Sequence, residues 1–329
     1  MSVGDQLCFA TSGASSTLCG TTTAVFRGTL TDSAWNADAG EYPLPVIIKV
    51  VFSQADFDRL EKERRFYEAF SPPEEAVNKG LVVPQFYGIY KTTNPKMAYP
   101  FGLIILEDCG SSFASWNDVI AEGPRFRKAV VCGTRNLHKH SLIHVNLIPQ
   151  HILRSEPEGF PVFISFSQTE EKACPRHADK HSPVLGDLEP IADVFECLEE
   201  WTLCRDLEIW RPRTIDFCGQ PYFVDAYLNN VQGLIHSAQY GGPADVFEHA
   251  CKVVRDYIAK YLPDFESPLK ALDDKEIEKL GKEWGDVVEQ FLVDLSKDAG
   301  RERKVSWLAV DVRALPALPA ELGPQPSVL

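Results

Sequence analysis

A chain of 329 residues, 44% hydrophobic and 24% charged, has the composition of a globular protein with a sizeable core, long enough for one large two-lobed domain or two ordinary ones. Its formal net charge of −14 argues against nucleic acid or an anionic membrane as the main partner, since both need basic surface. No apolar run approaches the ~20 residues of a transmembrane helix, and the start, MSVGDQLCFATSG, has neither the basic nor the apolar region of a secretory signal.

The first 45 or so residues are rich in Ser, Thr, Gly and Ala, and two strands around a small-residue turn are predicted between Ser12 and Phe26. Gly13 and Gly20 are separated glycines, so a hairpin is expected there and not a phosphate cradle. The clearest strand is VIIKVVF at 46–52, apolar on both sides of the alternation and therefore covered on both faces. Lys49 in its middle must snorkel out or meet an anion, because a buried unpaired ammonium is very costly. Ser53 caps the helix that follows, with Asp56 three residues on as an approximate capping box. Phe57, Leu60, Tyr67 and Phe70 trace its apolar stripe, and Glu63 falls on the same face. A carboxylate on a core-facing stripe complements an ammonium in a buried strand, so a Lys49–Glu63 ion pair is expected.

Strands are predicted at 81–83 and 86–90, and a buried strand at 101–106 that runs into Glu107, Asp108 and Cys109. A helix over 124–139 shows Phe126, Ala129, Val130 and Leu137 on one side. The stretch 142–166, LIHVNLIPQHILRSEPEGFPVFISF, reads as a short strand, a loop, a hairpin of two apolar strands and a second loop. A polar loop follows over 168–185. A helix is predicted at 193–201 with Val194, Leu198 and Trp201 facing the core. Two longer amphipathic helices are predicted at 244–262 (Val246, Ala250, Val253, Tyr257, Tyr261) and 273–297 (Ile277, Leu280, Trp284, Val287, Phe291, Leu295). The Pro-rich tail from residue 314 is expected to be disordered.

Element order and the polar residues of 142–166 resemble the protein-kinase-like fold, whose loops read H-x-D-L-x-x-x-N-I-L and then D-F-G or D-F-S. His144 sits at the family's His, Leu147 at its Leu, and Ile152-Leu153 at its Ile-Leu pair. Asn146 replaces the catalytic Asp, His151 the first metal-holding Asn and Ser165 the second metal-holding Asp. The run 193–201, with Cys174 before it, looks like the large-lobe core of fungal kinase-like proteins of the phosphotransferase type.

The resemblance implies an α+β, two-lobed fold. Residues 1–108 make a small antiparallel sheet with one main helix, residues 109–311 a mostly helical lobe with the degenerate loop, and residues 312–329 the disordered tail. It implies that Lys49 and Glu63 order nucleotide phosphates and that the backbone of Glu107 through Cys109 meets the adenine. His144, Asn146, His151 and Ser165 mark the altered centre, and losing three such groups leaves little room for phosphoryl transfer. The expectation is a pseudokinase acting as scaffold or regulator on a protein or small molecule in the inter-lobe cleft, with ATP or ADP without Mg²⁺ as the candidate ligand. Alternatives are a cleft repurposed for other chemistry on a small organic substrate and a weak atypical phosphotransferase, with Asp187, Glu189 and Asp193 as the nearest replacement carboxylates.

Nine cysteines without a framework read as free thiols in a reducing compartment, and cytoplasm or nucleus is expected. Cys174-x2-His177-x3-His181 has metal-ligand types at plausible intervals but no clear second half, and no motif ties His138, His140, Cys197 or Cys204 to it. Solvated loop residues and no metal are expected there.

Overall fold

A computed structural model of the chain describes residues 7–10, 23–32, 44–70, 83–92, 101–155, 159–176, 182–298, 306–310, 315–319 and 322. Gly13, Gly20, His177 and His181 lie outside these residues. The chain forms two compact units, the first from residues 1–187 and 191–210 and the second from residues 188–190 and 211–329. The expected lobe boundary near Asp108 falls inside the first.

The first unit begins with five antiparallel strands, β1 (Leu7–Ala10), β2 (Thr23–Asp32), β3 (Leu44–Val51), β4 (Phe86–Thr92) and β5 (Phe101–Glu107), ordered β1-β2-β3-β5-β4. Helix α1 (Gln54–Phe70) connects β3 to β4 and packs on the sheet. Alternation along β3 divides it as its sequence demands. Val46, Ile48 and Val50 join Ile105 in a small core on one face, and Val51 joins Ile104, Leu106 and the α1 side chains in the main core on the other. Lys49 shares the α1 face. Ser53 starts α1 by accepting a hydrogen bond from Asp56 N at 3.1 Å, while its hydroxyl donates to the Asp56 carboxylate at 2.5 Å.

After β5 come β6 (Ser111–Ser112), α2 (Trp116–Ala121), α3 (Pro124–Lys139) and β7 (Leu142–Ile143). A 3-10 turn at Pro149–His151 leads to the β8 (Ile152–Arg154)/β9 (Pro161–Phe163) hairpin, which is extended by β6. A second 3-10 turn, Phe166–Gln168, precedes β10 (Glu170–Glu171), which pairs with β7. The expected helix over 193–201 is two helices, α4 (Ala192–Phe195) and α5 (Leu198–Asp206), because Glu196 turns left-handed at φ 71°. That break rotates the buried face. Val194 and Leu198, expected inward, are 69% and 71% exposed, and Phe195, Cys197, Leu203 and Cys204 are buried in their place.

The second unit holds a β11 (Thr214–Phe217)/β12 (Gln220–Phe223) hairpin and helices α6 (Val231–His236), α7 (Pro243–Tyr261) and α8 (Asp274–Asp298). α7 and α8 pack closely: a Cβ on Gly285 would lie 2.9 Å from that of Ala244. The α8 stripe is Ile277, Leu280, Trp284, Val288 and Leu292. The expected Val287 and Leu295 point outward, since the helix keeps its 3.6-residue period and a three-residue step drifts off the face. The expected tail disorder does not extend to Leu315 and Leu322, which are buried in this core with Leu318 packed against it. The tail's leucines outweigh its prolines as a packing signal. Among the described residues no helix is long and apolar enough to cross a membrane.

Gly133 on α3 faces the buried ring of Phe163, and a Cβ there would come within 2.3 Å of it. Gly133→Ala gains up to about 1 kcal/mol of helix propensity but overpacks the core by about 1–3 kcal/mol. We expect a net loss in urea unfolding; a neutral result would mean that the Phe163 ring yields without cost.

Candidate functional site

The sequence places two charges where the fold must bring them together, and it does. Lys49 Nζ meets Glu63 Oε2 at 2.8 Å, with the Glu63 side chain 2% exposed and that of Lys49 22% exposed. The other Glu63 oxygen accepts from the Tyr67 hydroxyl at 3.1 Å, one helical turn on. Tyr67 Oη in turn accepts from Ser165 N at 3.3 Å, which ties α1 to the end of the β9 strand segment. Ser165 is left-handed at φ 72°, and this turns Phe166 back to stack on Phe66 with ring centroids 3.6 Å apart. Tyr67 and His144 meet the same ring at 5.5 and 5.2 Å.

His144 is fully buried. Its Nε2 lies 3.0 Å from Ile164 O and must donate, because a carbonyl only accepts. The lone pair is then on Nδ1, which is buried without a hydrogen-bond partner among the described residues. His151 follows the same rule: Nδ1 donates to Asn146 O at 2.7 Å and leaves the lone pair on Nε2. Burial lowers the pKa of both imidazoles, so both are neutral at pH 7. The two rings are 5.8 Å apart. His144, Asn146 and His151 thus form one cluster that reaches Ser165 through Phe166, beside the Lys49–Glu63 pair.

Val145, between His144 and Asn146, is left-handed at φ 68°, a strained state for a β-branched residue. Glu199 holds it there. One carboxylate oxygen accepts from Val145 N at 2.5 Å, and the other from His144 N at 3.2 Å and from His138 Nε2 at 2.6 Å.

At the end of β5, Glu107 N donates to Gln85 O at 2.9 Å and Asp108 N to Pro45 O at 3.1 Å, which leaves the Cys109 N–H without a partner among the described residues. Burial, reinforced by Glu107, pushes the Cys109 thiol far above its ordinary range and keeps it protonated. Arg27 clamps this segment: its Nε meets Asp108 Oδ2 at 2.7 Å, and the guanidinium also donates to Gly110 O at 2.8 Å.

The ion pair expected between Lys49 and Glu63 is present, and His144, Asn146, His151 and Ser165 lie along one stretch beside it, while the contacts of Arg27 and Glu199 were not expected. Neither of these carried a local signal: Arg27 lies 81 residues from Asp108, and Glu199 55 from His144. Of the replacement carboxylates, Asp187 and Asp193 are exposed, and Glu189 is bonded within the second unit to Arg213 N at 3.4 Å. No known family model matches the chain, and no curated protein matches it.

Two tests follow from these contacts. Glu63→Gln removes the charge facing Lys49 and weakens the Tyr67 bond, with an expected loss of about 1–3 kcal/mol, and Lys49→Met in the same background recovers part of it; additive losses would show that the pair is uncoupled. The second concerns pH. The folded chain refuses protons on His144 and His151 that the unfolded chain accepts below about pH 6.5, so their contribution is complete above that pH and is lost as pH falls toward the depressed folded values. Urea unfolding at about pH 7.5 and 5.5 should show a smaller acid loss for His144→Gln than for the parent chain, and equal losses would contradict it.

Proposed function

We propose that the first unit holds a kinase-like nucleotide cleft without phosphoryl-transfer chemistry, so that the protein is a pseudokinase-like scaffold or regulator that takes ATP or ADP without Mg²⁺. The observation that carries this reading is the 2.8 Å Lys49–Glu63 pair between a central strand and the helix after it. The strand order β1-β2-β3-β5-β4 with α1 between β3 and β4, and the Cys109 N–H with no partner among the described residues, agree with a small lobe of this kind. The Lys49 side chain is partly exposed, at 22%, while that of Glu63 is buried.

Three residues argue against transfer. Asn146 can orient a hydroxyl but cannot take its proton. His151 offers a neutral imidazole where Mg²⁺ prefers hard oxygen. Ser165 brings an uncharged hydroxyl where an anionic oxygen would balance phosphate charge. Each change costs orders of magnitude in rate, and three together leave binding as what the cleft can still do. A second reading rests on His151: a neutral ring with its lone pair on Nε2 can serve as a general base for a small organic substrate.

Thermal unfolding with ATP and ADP, each with and without Mg²⁺, separates these readings. Saturation at about 100 times Kd adds about 2.7 kcal/mol. We expect a rise in Tm with both nucleotides, equal with and without Mg²⁺ and gone in Lys49→Ala. No rise at millimolar nucleotide would sink the reading, and a Mg²⁺-dependent rise with ATP consumption would replace it with a weak phosphotransferase.

A further inference from the structure

We propose that His138, Cys174 and Cys197 form a binding site for a borderline-soft divalent cation, Zn²⁺ foremost. The three come from separate places in the first unit: the last turn of α3, the segment after β10, and the residue that precedes α5. Their ligand atoms all lie within 4.8 Å of one another. Cys197 Sγ stands 3.6 Å from His138 Nδ1. Metal bonds of about 2.3 Å to sulfur and 2.0–2.1 Å to nitrogen, opened to a tetrahedral angle, put those atoms about 3.6 Å apart. One edge of the coordination tetrahedron is therefore already set. Two thiolates and an imidazole select zinc-like ions over Mg²⁺ or Ca²⁺, which take oxygen donors.

An independent observation concerns the other ring nitrogen. His138 Nε2 donates to Glu199 Oε2 at 2.6 Å. Metal-ligating histidines almost always give their second N–H to such an acceptor, which fixes the tautomer and leaves the lone pair on the ligating nitrogen. In His138 that nitrogen is Nδ1, the atom turned toward Cys197. The carboxylate is itself fixed by the N–H groups of His144 and Val145, so the ring cannot swing away without breaking that loop.

A cavity of about 160 Å³ opens on His138 and Cys174, ample for a water as fourth ligand. Arg135 and Arg176 line it and stand 3.4 and 3.1 Å from Glu200 Oε1, which gives one oxygen of that carboxylate two cationic partners. Binding releases the two thiol protons to solvent, because the ligands are thiolates. The site needs no part of the kinase-like reading.

The test uses the full chain purified under reducing conditions, stripped with a chelator and titrated with Co²⁺. One equivalent should produce a thiolate-to-cobalt charge-transfer band and the intense visible bands of tetrahedral Co²⁺, both removed by one equivalent of Zn²⁺. Cys174→Ser is a mild change at a half-buried position and should weaken binding at least tenfold. Glu199→Gln should weaken it about 10–100-fold, and Cys132→Ser, on the exposed side of α3, should leave it unchanged. Zn²⁺ should also raise the Tm of the parent chain more than that of Cys174→Ser, a readout independent of cobalt. Absence of the charge-transfer band, or bands and Zn²⁺-dependent Tm that persist unchanged in Cys174→Ser, would overturn the proposal.

Discussion

A buried carboxylate needs a partner for each of its oxygens, and Glu63 is where the first unit meets that demand. Lys49 takes one oxygen and Tyr67 the other, so the position of α1 on the sheet and the rotation of the helix are set together. Tyr67 then receives Ser165 N, and Phe66 receives Phe166. Replacing such a pair with well-packed apolar residues is often neutral for stability, so its value here lies in orientation. One charge in a strand, answered by one on a helix, fixes how sheet, helix and the 165–168 turn face each other.

Adjacent glutamates on α5 show how local surroundings divide one residue type into two. Burial acts to raise Glu199, but the hydrogen bonds from His138 and the Val145 N–H outweigh it and hold the carboxylate below its ordinary range. Glu200 is raised by burial, and Arg176 and Arg135 oppose that without cancelling it. Glu199 therefore stays an anion that organises the His144–Val145 backbone, and it connects that loop to His138 and the two thiols proposed as metal ligands.

Local periodicity made α1, α3, α7 and α8 readable, along with the hairpin of β8 and β9, because each carries its apolar face in its own spacing. The Lys49–Glu63 pair was readable for the same reason, as two charges each placed on a face that must be buried. Failures occurred where a single backbone angle overrides the pattern. Glu196 at φ 71° splits one expected helix and reverses which side is buried, and nothing in the apolar spacing of 193–201 encodes it. Contacts such as Arg27–Asp108, His138–Cys197 and Glu199–His144 join residues 55 or more positions apart, and a single sequence has no local pattern for such distances. The Cys174-x2-His177 spacing, where no metal was expected, contains one member of the proposed cluster, and the other two, His138 and Cys197, come from elsewhere in the fold.

The order of the chain through its two units bears on how the protein is made. Residues 191–210 return to the first unit after 188–190 have entered the second, and they bring Phe195, Cys197, Leu203, Cys204, Leu207, Ile209 and Trp210 to the main core. Synthesis is vectorial and units fold as their last core residues emerge. The sheet, α1 and the 142–166 stretch must therefore wait, with part of their apolar surface uncovered, until Trp210 has cleared the ribosome. A pause in translation before that point leaves an aggregation-prone nascent chain, whereas a pause after it leaves a first unit that already has its full core.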